Sequence, residues 1–225
     1  MLKKHSSKSY RCGQPAQRFD LYIFRAKILH MVTRKIVQIG HSALRNKNKQ
    51  VKNFKSPKLK KLLNDMVDTM YKTNLIGIAA PQIAENFLIF VTHPRNTKAR
   101  KLPKTDKLRF YINPKIIFES KKQNLIYEGC GSIADGKLFG PVLRPQEIDI
   151  EAFNENGKRF KLRCDGILAR VIQHEYDHLV GMEFITKVND YKKIMSLGHY
   201  KKSIRNSKLQ KENSRITKIE HKTLL

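Results

Sequence analysis

The 225-residue chain is long enough to bury a hydrophobic core and fits one ordinary domain with extensions. Its formal charge of +27 gathers at the ends, with seven Lys/Arg against one acid in residues 1–30 and eleven against three in 187–225; such ends attract nucleic acid or an anionic membrane surface, or are simply solvated. Three cysteines, far apart and odd in number, exclude a disulfide framework and fit a reducing compartment, and no apolar run reaches the ~18 residues of a membrane-spanning helix.

In chain order, the apolar runs LYIF and AKIL are broken by Arg25 and Lys27, which makes a poor signal-peptide core. Met31, followed by VTRKIVQIGHSALR, reads as the start of the folded domain. Residues 1–30 are therefore a basic extension, either a targeting arm or an over-extended start. A helix is expected from about Ser56 to Lys72, with Ser56 as N-cap, Pro57 first in the helix, and Leu59, Leu62, Leu63, Met66, Val67 and Met70 on one face. Phe87–Thr92 reads as a buried strand, a second ends at Asn113-Pro114, and Lys115–Phe118 and Asn124–Glu128 follow as further strands. Gly129-Cys130-Gly131-Ser132 is a tight turn, and Ala134–Pro141 a glycine-rich loop. Glu147–Phe153 alternates polar and apolar, turns at Asn154–Gly157 and returns over Arg159–Cys164 as a hairpin. A second helix spans about Gly166 to Val180 with Gly181 just past its end. Residues 188–225 read as a basic tail, a surface helix or disordered. The fold class expected is α+β: short, mostly antiparallel sheets around a buried central helix, with an N-terminal helix and that tail. The catalytic domain is placed at 31–187.

The central helix carries His174-Glu175-Tyr176-Asp177-His178, an H-E-x-x-H spacing. Residues four apart on a helix lie one above the other, so both imidazoles can converge on one ion. Ile167 and Val171 continue the same stripe and Leu168, Ile172 and Leu179 flank it, which places the histidines on the apolar side. Glu175 can face water held there without being a ligand. The third ligand can be narrowed by elimination. In the extended H-E-x-x-H-x-x-G-x-x-H pattern the last position is Phe184, which cannot ligate; Glu183 is too close, and Glu212 and Glu220 lie in the tail. Cys130, on its glycine-flanked turn, offers a thiolate, and one sulfur with two imidazoles suits catalytic zinc or ferrous iron.

Three segments in order, Leu75-Ile76-Gly77-Ile78-Ala79-Ala80-Pro81-Gln82, Glu128-Gly129-Cys130-Gly131-Ser132 and His174–His178, resemble the signatures of the peptide deformylases, over roughly Met31 to Lys187. The resemblance implies a metallohydrolase that removes the formyl group from the N-terminal formyl-methionine of new proteins. It implies one divalent ion on Cys130, His174 and His178, Fe2+ natively, with Zn2+, Ni2+ or Co2+ able to replace it. Glu175 would be the base, and Gln82 with the Gly131 N–H would meet the oxyanion. Backbone at Ile76, Gly77, Ile78, Gly129 and Gly131 would pair with the peptide as an added strand. Glu128 with Arg144 would brace the cysteine turn, and Asp177 would orient the helix. Expected partners are nascent formyl-methionyl chains and, through the tail, the ribosome or its RNA; the expected state is a monomer in the bacterial cytoplasm rather than an organelle.

Two positions depart from the family pattern. Leu75 replaces the first glycine of the first signature, and Gly131 replaces a larger residue after the cysteine. A leucine would strain the backbone if position 75 needs positive φ, or would narrow the groove. The rival reading is a catalytically weak relative with altered substrate range or an RNA-binding role.

Overall fold

The structure is a computed structural model and describes residues 33–97 and 101–224. The basic segment 1–30 lies outside the described residues. Helix α1, Pro57–Lys72, starts on a proline whose missing N–H has no helical partner to lose. Ser56 holds the extended N-cap backbone, but its side chain makes no capping bond. Leu59, Leu62, Leu63, Met66 and Met70 are buried, and Val67 is half-buried beside them.

Among the described residues nine strands form two sheets. The larger has the order β1 (Gly77–Ala79), β2 (Ile89–Thr92), β3 (Arg109–Glu119), β6 (Glu147–Phe153), β7 (Arg159–Asp165) and β9 (Ile219–Thr223). The smaller joins β4 (Gln123–Gly129), β5 (Leu138–Pro145) and β8 (Met195–Ser196), and every strand pair is antiparallel. Side-chain alternation divides the core. Ile78, Ile89 and Val91 face α1, while Ala79, Phe90, Ile148, Ile150 and Leu162 face helix α2, Gly166–Leu179. Thirteen of the fourteen residues of α2 are buried, so its polar side chains must find partners inside the protein.

The expected break at Asn113-Pro114 is instead a kink inside one long strand. Asn113 adopts φ 50°, and the pairing register with β6 shifts between Ile112 and Lys115. A proline cannot donate to the ladder, so the strand bulges there and continues. The Asn113 amide, exchanging bonds with both backbone groups of Val51, holds the bulge. The expected loop over Ala134–Pro141 shrinks to a single turn, Ala134–Gly136, before β5 begins; Gly140 lies under Val188, where a Cβ would come within 2.9 Å of it.

The tail is helical in part, as one of the two expectations had it, and adds a strand that was not expected. Two short helices, α3 (Leu197–Ser203) and α4 (Lys208–Asn213), lead into β9, which pairs with β7. Asp165, at the start of α2, does not cap that helix with its side chain. Its carboxylate accepts instead from the Thr217 and Lys218 N–H groups, at 2.8 and 2.9 Å, and from the Thr217 hydroxyl. Gly166 follows at φ 59°, and a Cβ there would lie 2.2 Å from the Arg215 carbonyl oxygen. Only glycine lets the tail pass this close, so the tail pins the N-terminus of the helix that carries the histidines.

Candidate metal centre

The turn after β4 brings Cys130 against the inner stripe of α2. One donor atom each from Cys130, His174 and His178 lies within 4.8 Å of the others, and all three residues are buried. The Cys130 Sγ is 3.2 Å from His178 Nε2 and 3.4 Å from the Ser132 N–H. Glu128, two residues before the cysteine, accepts from His174 Nδ1 at 2.8 Å. That bond places a proton on Nδ1 and turns Nε2 toward the cluster, so that loss of the Nε2 proton leaves the tautomer a ligand needs.

The Glu128 carboxylate is the hub. Arg144, on β5, meets it in two bonds of 2.7 and 2.9 Å. Arg170, on α2, reaches it at 2.8 Å and also bonds the Val142 and Asn124 carbonyls. Arg144 continues to Asp177 at 2.6 Å, and Lys187 closes that carboxylate at 2.8 Å. Burial works against the charge of Glu128, yet Arg144 and His174 outweigh it and hold the carboxyl well below the usual range. Burial also opposes charge on His174, but Cys130 and Glu128 raise it. His178, buried and facing the His174 and Arg144 charges, is held well below the ordinary value and is neutral.

Glu175 lies beside the cluster at the edge of a cleft of about 1260 Å3 that also reaches Gly77, Gln82, Gly129 and Gly131. Burial pushes its carboxyl up to about 7. A Cβ at Gly77 would fall 2.5 Å from its Oε1, so the glycine makes room for the carboxylate. Among the described residues, five buried side-chain atoms find no hydrogen-bond partner, and two of them belong to this cluster, Glu175 Oε2 and His178 Nδ1. A soft sulfur, two imidazoles and an unsatisfied carboxylate oxygen beside them are a donor set that fits one divalent ion with a reacting water. Gln82 is 1% exposed. Its Oε1 accepts from the Ala79 N–H at 2.8 Å, which aims Nε2 at Ser132 Oγ, 3.3 Å away, and Cys130 Sγ, 3.5 Å away.

Some of the backbone expected to pair with substrate is already engaged: the Ile76 carbonyl accepts from the His93 N–H at 2.7 Å, and Ile78 is paired with Val91 of β2 and fully buried against α1. By strand alternation Gly77 is the residue whose N–H and C=O face outward. Sequence reading missed Arg170 and Gln38. Gln38 Nε2 donates to the Gly131 carbonyl at 2.9 Å while its Oε1 accepts from the Asp135 N–H, which ties the cysteine turn to the loop after it. Arg170 carried a signal, since it falls four residues before His174 on an otherwise apolar stripe and needs a buried anion. Nothing local marks Gln38.

The two departures from the family pattern explain each other. Leu75 does not have positive φ; Asn74 before it takes φ 58° instead, so the leucine is unstrained. A Cβ on residue 131 would sit 3.2 Å from Leu75 Cδ1 and 3.3 Å from Ile36 Cδ1. The leucine fills the space that a larger residue after the cysteine would take.

A cysteine turn set against a buried H-E-x-x-H helix, beside an open cleft, is the build of a mononuclear metalloenzyme. The chain belongs to the peptide deformylase family, whose polypeptide deformylase model matches residues 33–194. Peptide deformylase 1B, chloroplastic/mitochondrial, of Arabidopsis thaliana is 38% identical over 156 residues, covering 69% of this chain and 54% of the relative. The peptide deformylase of Pseudothermotoga lettingae is 36% identical over 154 residues, covering 68% and 82%. The chain thus spans about half the length of the plant relative and most of the bacterial one. Among solved structures, the Met-Ala-Ser-bound class I type b peptide deformylase of Acinetobacter baumannii superposes with a TM-score of 0.65 at 27% identity, over 70% of this chain and 99% of that one.

Two predictions follow from the site's geometry. The depressed Glu128 carboxyl contributes stability that is fully present above its unfolded value of 4.5 and is lost as pH falls through its lower folded value. Glu128→Gln should lower stability in urea melts at pH 7 by about 3–5 kcal/mol, and the gap should narrow below pH 4.5; a constant gap down to pH 3 contradicts the hub. In a double-mutant cycle, Gly131→Leu should destabilise the wild-type background and be partly relieved by Leu75→Gly, with a coupling of about 1–2 kcal/mol. Additive effects would mean that the two positions do not share space.

Proposed function

We propose that the chain is a metal-dependent peptide deformylase, taking the formyl group from the N-terminal formyl-methionine of newly made proteins. The observation that carries this reading is the Cys130, His174 and His178 cluster with the unpartnered Glu175 Oε2 beside it, at the edge of a peptide-sized cleft. Cys130, His174 and His178 would hold one divalent ion, Fe2+ natively, with Zn2+, Ni2+ or Co2+ as substitutes. Such an ion, when bound, acidifies water and polarises a carbonyl.

The chain's own residues do the rest. Glu175 accepts the proton of the attacking water as its oxygen bonds the formyl carbon, then delivers that proton to the amine as the C–N bond breaks. The products are formate and a free N-terminus. A carboxyl near 7 serves in both directions at neutral pH. The Gln82 Nε2 and the Gly131 N–H donate to the oxyanion, and the bond from Gln82 Oε1 to Ala79 keeps that amide from turning. The Glu128–Arg144–Asp177 chain holds the turn and the helix in register. The peptide adds as a strand at Gly77 and Gly129. The intact base and amide favour an enzyme over a binding relative.

We place this activity on a monomer in a bacterial cytoplasm; the chloroplastic relatives make an organelle the second reading. The exposed lysines of α3 and α4, among them Lys201, Lys202, Lys208 and Lys211, would dock on ribosomal RNA, where nascent chains emerge.

Metal-loaded wild type should release formate from formyl-Met-Ala-Ser. Glu175→Gln should lose at least about 10²-fold in kcat while retaining one metal per chain; full turnover in that variant rules out the assigned base. Changing Lys201, Lys202, Lys208 and Lys211 together to Gln should weaken ribosome co-sedimentation at low salt. Unchanged sedimentation removes the docking proposal and leaves the chemistry standing.

A further inference from the structure

One wall of the cleft is built by the C-terminal segment. On β4, Gln123 and Tyr127 lie opposite Pro145 and Pro141 of β5, which have no N–H to exchange. These pairs are therefore the non-hydrogen-bonded ones, and Gln123, Leu125, Tyr127 and Gly129 turn their backbone groups away from β5. That outward edge leads straight to Cys130, and α4 runs along it.

Gln210, at the centre of α4, accepts from the Tyr127 N–H at 3.0 Å and donates to the Tyr127 carbonyl at 3.2 Å. One side-chain amide thus makes both bonds that a residue of an added strand would make. Asn213 Nδ2 donates to the Leu125 carbonyl at 2.9 Å. The Gln210 amide is fixed in place: the residue is 8% exposed and Nε2 also reaches the Tyr200 hydroxyl at 3.4 Å. Tyr200 stacks on Phe139 at 4.0 Å, the ring that covers Gly129 where a Cβ would be. Next to Cys130, Gly129 is the outward residue that α4 leaves uncovered.

We infer that Gln210 is a specificity-determining residue that ends peptide pairing along β4 at Gly129. The inference rests on the reading that the substrate adds as a strand. In antiparallel pairing one outward residue serves one peptide residue, and its neighbour two positions back serves the peptide residue two further along. With Tyr127 occupied, backbone recognition stops ~3 residues into the substrate, and longer formyl peptides gain nothing from their extra length. Chains of any downstream sequence and length then present the same short recognised end.

The test uses the full metal-loaded chain and two variants, Gln210→Ala and Gln210→Asn, the second keeping an amide but one methylene short. Formate release is measured on formyl-Met-Ala-Ser and formyl-Met-Ala-Ser-Ala-Ser. Calorimetry on the unformylated Met-Ala-Ser and Met-Ala-Ser-Ala-Ser reads the same length dependence without turnover. The five-to-three-residue ratio of kcat/KM, and of affinity, should be about one in wild type and rise about fivefold or more in a variant that melts as a folded protein, the worth of one or two hydrogen bonds. A wild-type ratio already that large, or ratios near one in both folded variants, overturns the inference. If wild type releases no formate from either peptide, the deformylase reading fails, and the binding ratios still decide the role of Gln210.

Discussion

A single buried carboxylate organises this molecule. Glu128 sits among Arg144, Arg170 and the Nδ1 of His174, at 2.7–2.9 Å from each. An ionised carboxylate taken from water is costly unless it is fully paired. Here the partners come from β5 and twice from α2, so satisfying one charge forces the cysteine turn, the small sheet and the histidine helix into a common register. The same charge fixes the tautomer of His174. The metal geometry and the fold are therefore not separable: whatever loosens Glu128 loosens the ligands.

The C-terminal segment extends this constraint outward. Asp165, Gly166 and Ser214 tie the tail to the first turn of α2, and β9 closes the edge of the larger sheet. The tail's helices then line the cleft beside the cysteine turn. A basic segment with little apolar content can be ordered in this way because its buried contacts are few and specific: Gln210, Tyr200 and Ile216 enter the interior while the lysines stay in water.

Much of the site was legible in sequence because its chemistry is written at short range. His174 and His178 are one helical turn apart, and Cys130 was reached by elimination on a glycine-flanked turn. Helix α1 was legible from its apolar face, as was the β6–β7 hairpin from its turn. What escaped depends on long-range pairing. The single strand through Asn113-Pro114 is held by a side chain reaching Val51, and Gln38 meets the cysteine turn from 93 residues away. The tail looked too polar to bury much because the groups that satisfy it, Asp165 and the backbone of Tyr127, lie on other elements. Leu75 and Gly131 each looked like a departure from a pattern, and only their contact makes them one feature.

The central claim is that Cys130, His174 and His178 meet on one ion beside Glu175. X-ray absorption on anaerobically purified protein measures this directly. The account predicts one sulfur neighbour at about 2.3 Å and two nitrogens at about 2.0–2.1 Å in the zinc-loaded chain, with the sulfur shell lost in Cys130→Ser. A metal shell of nitrogen and oxygen alone in the wild-type chain would contradict it.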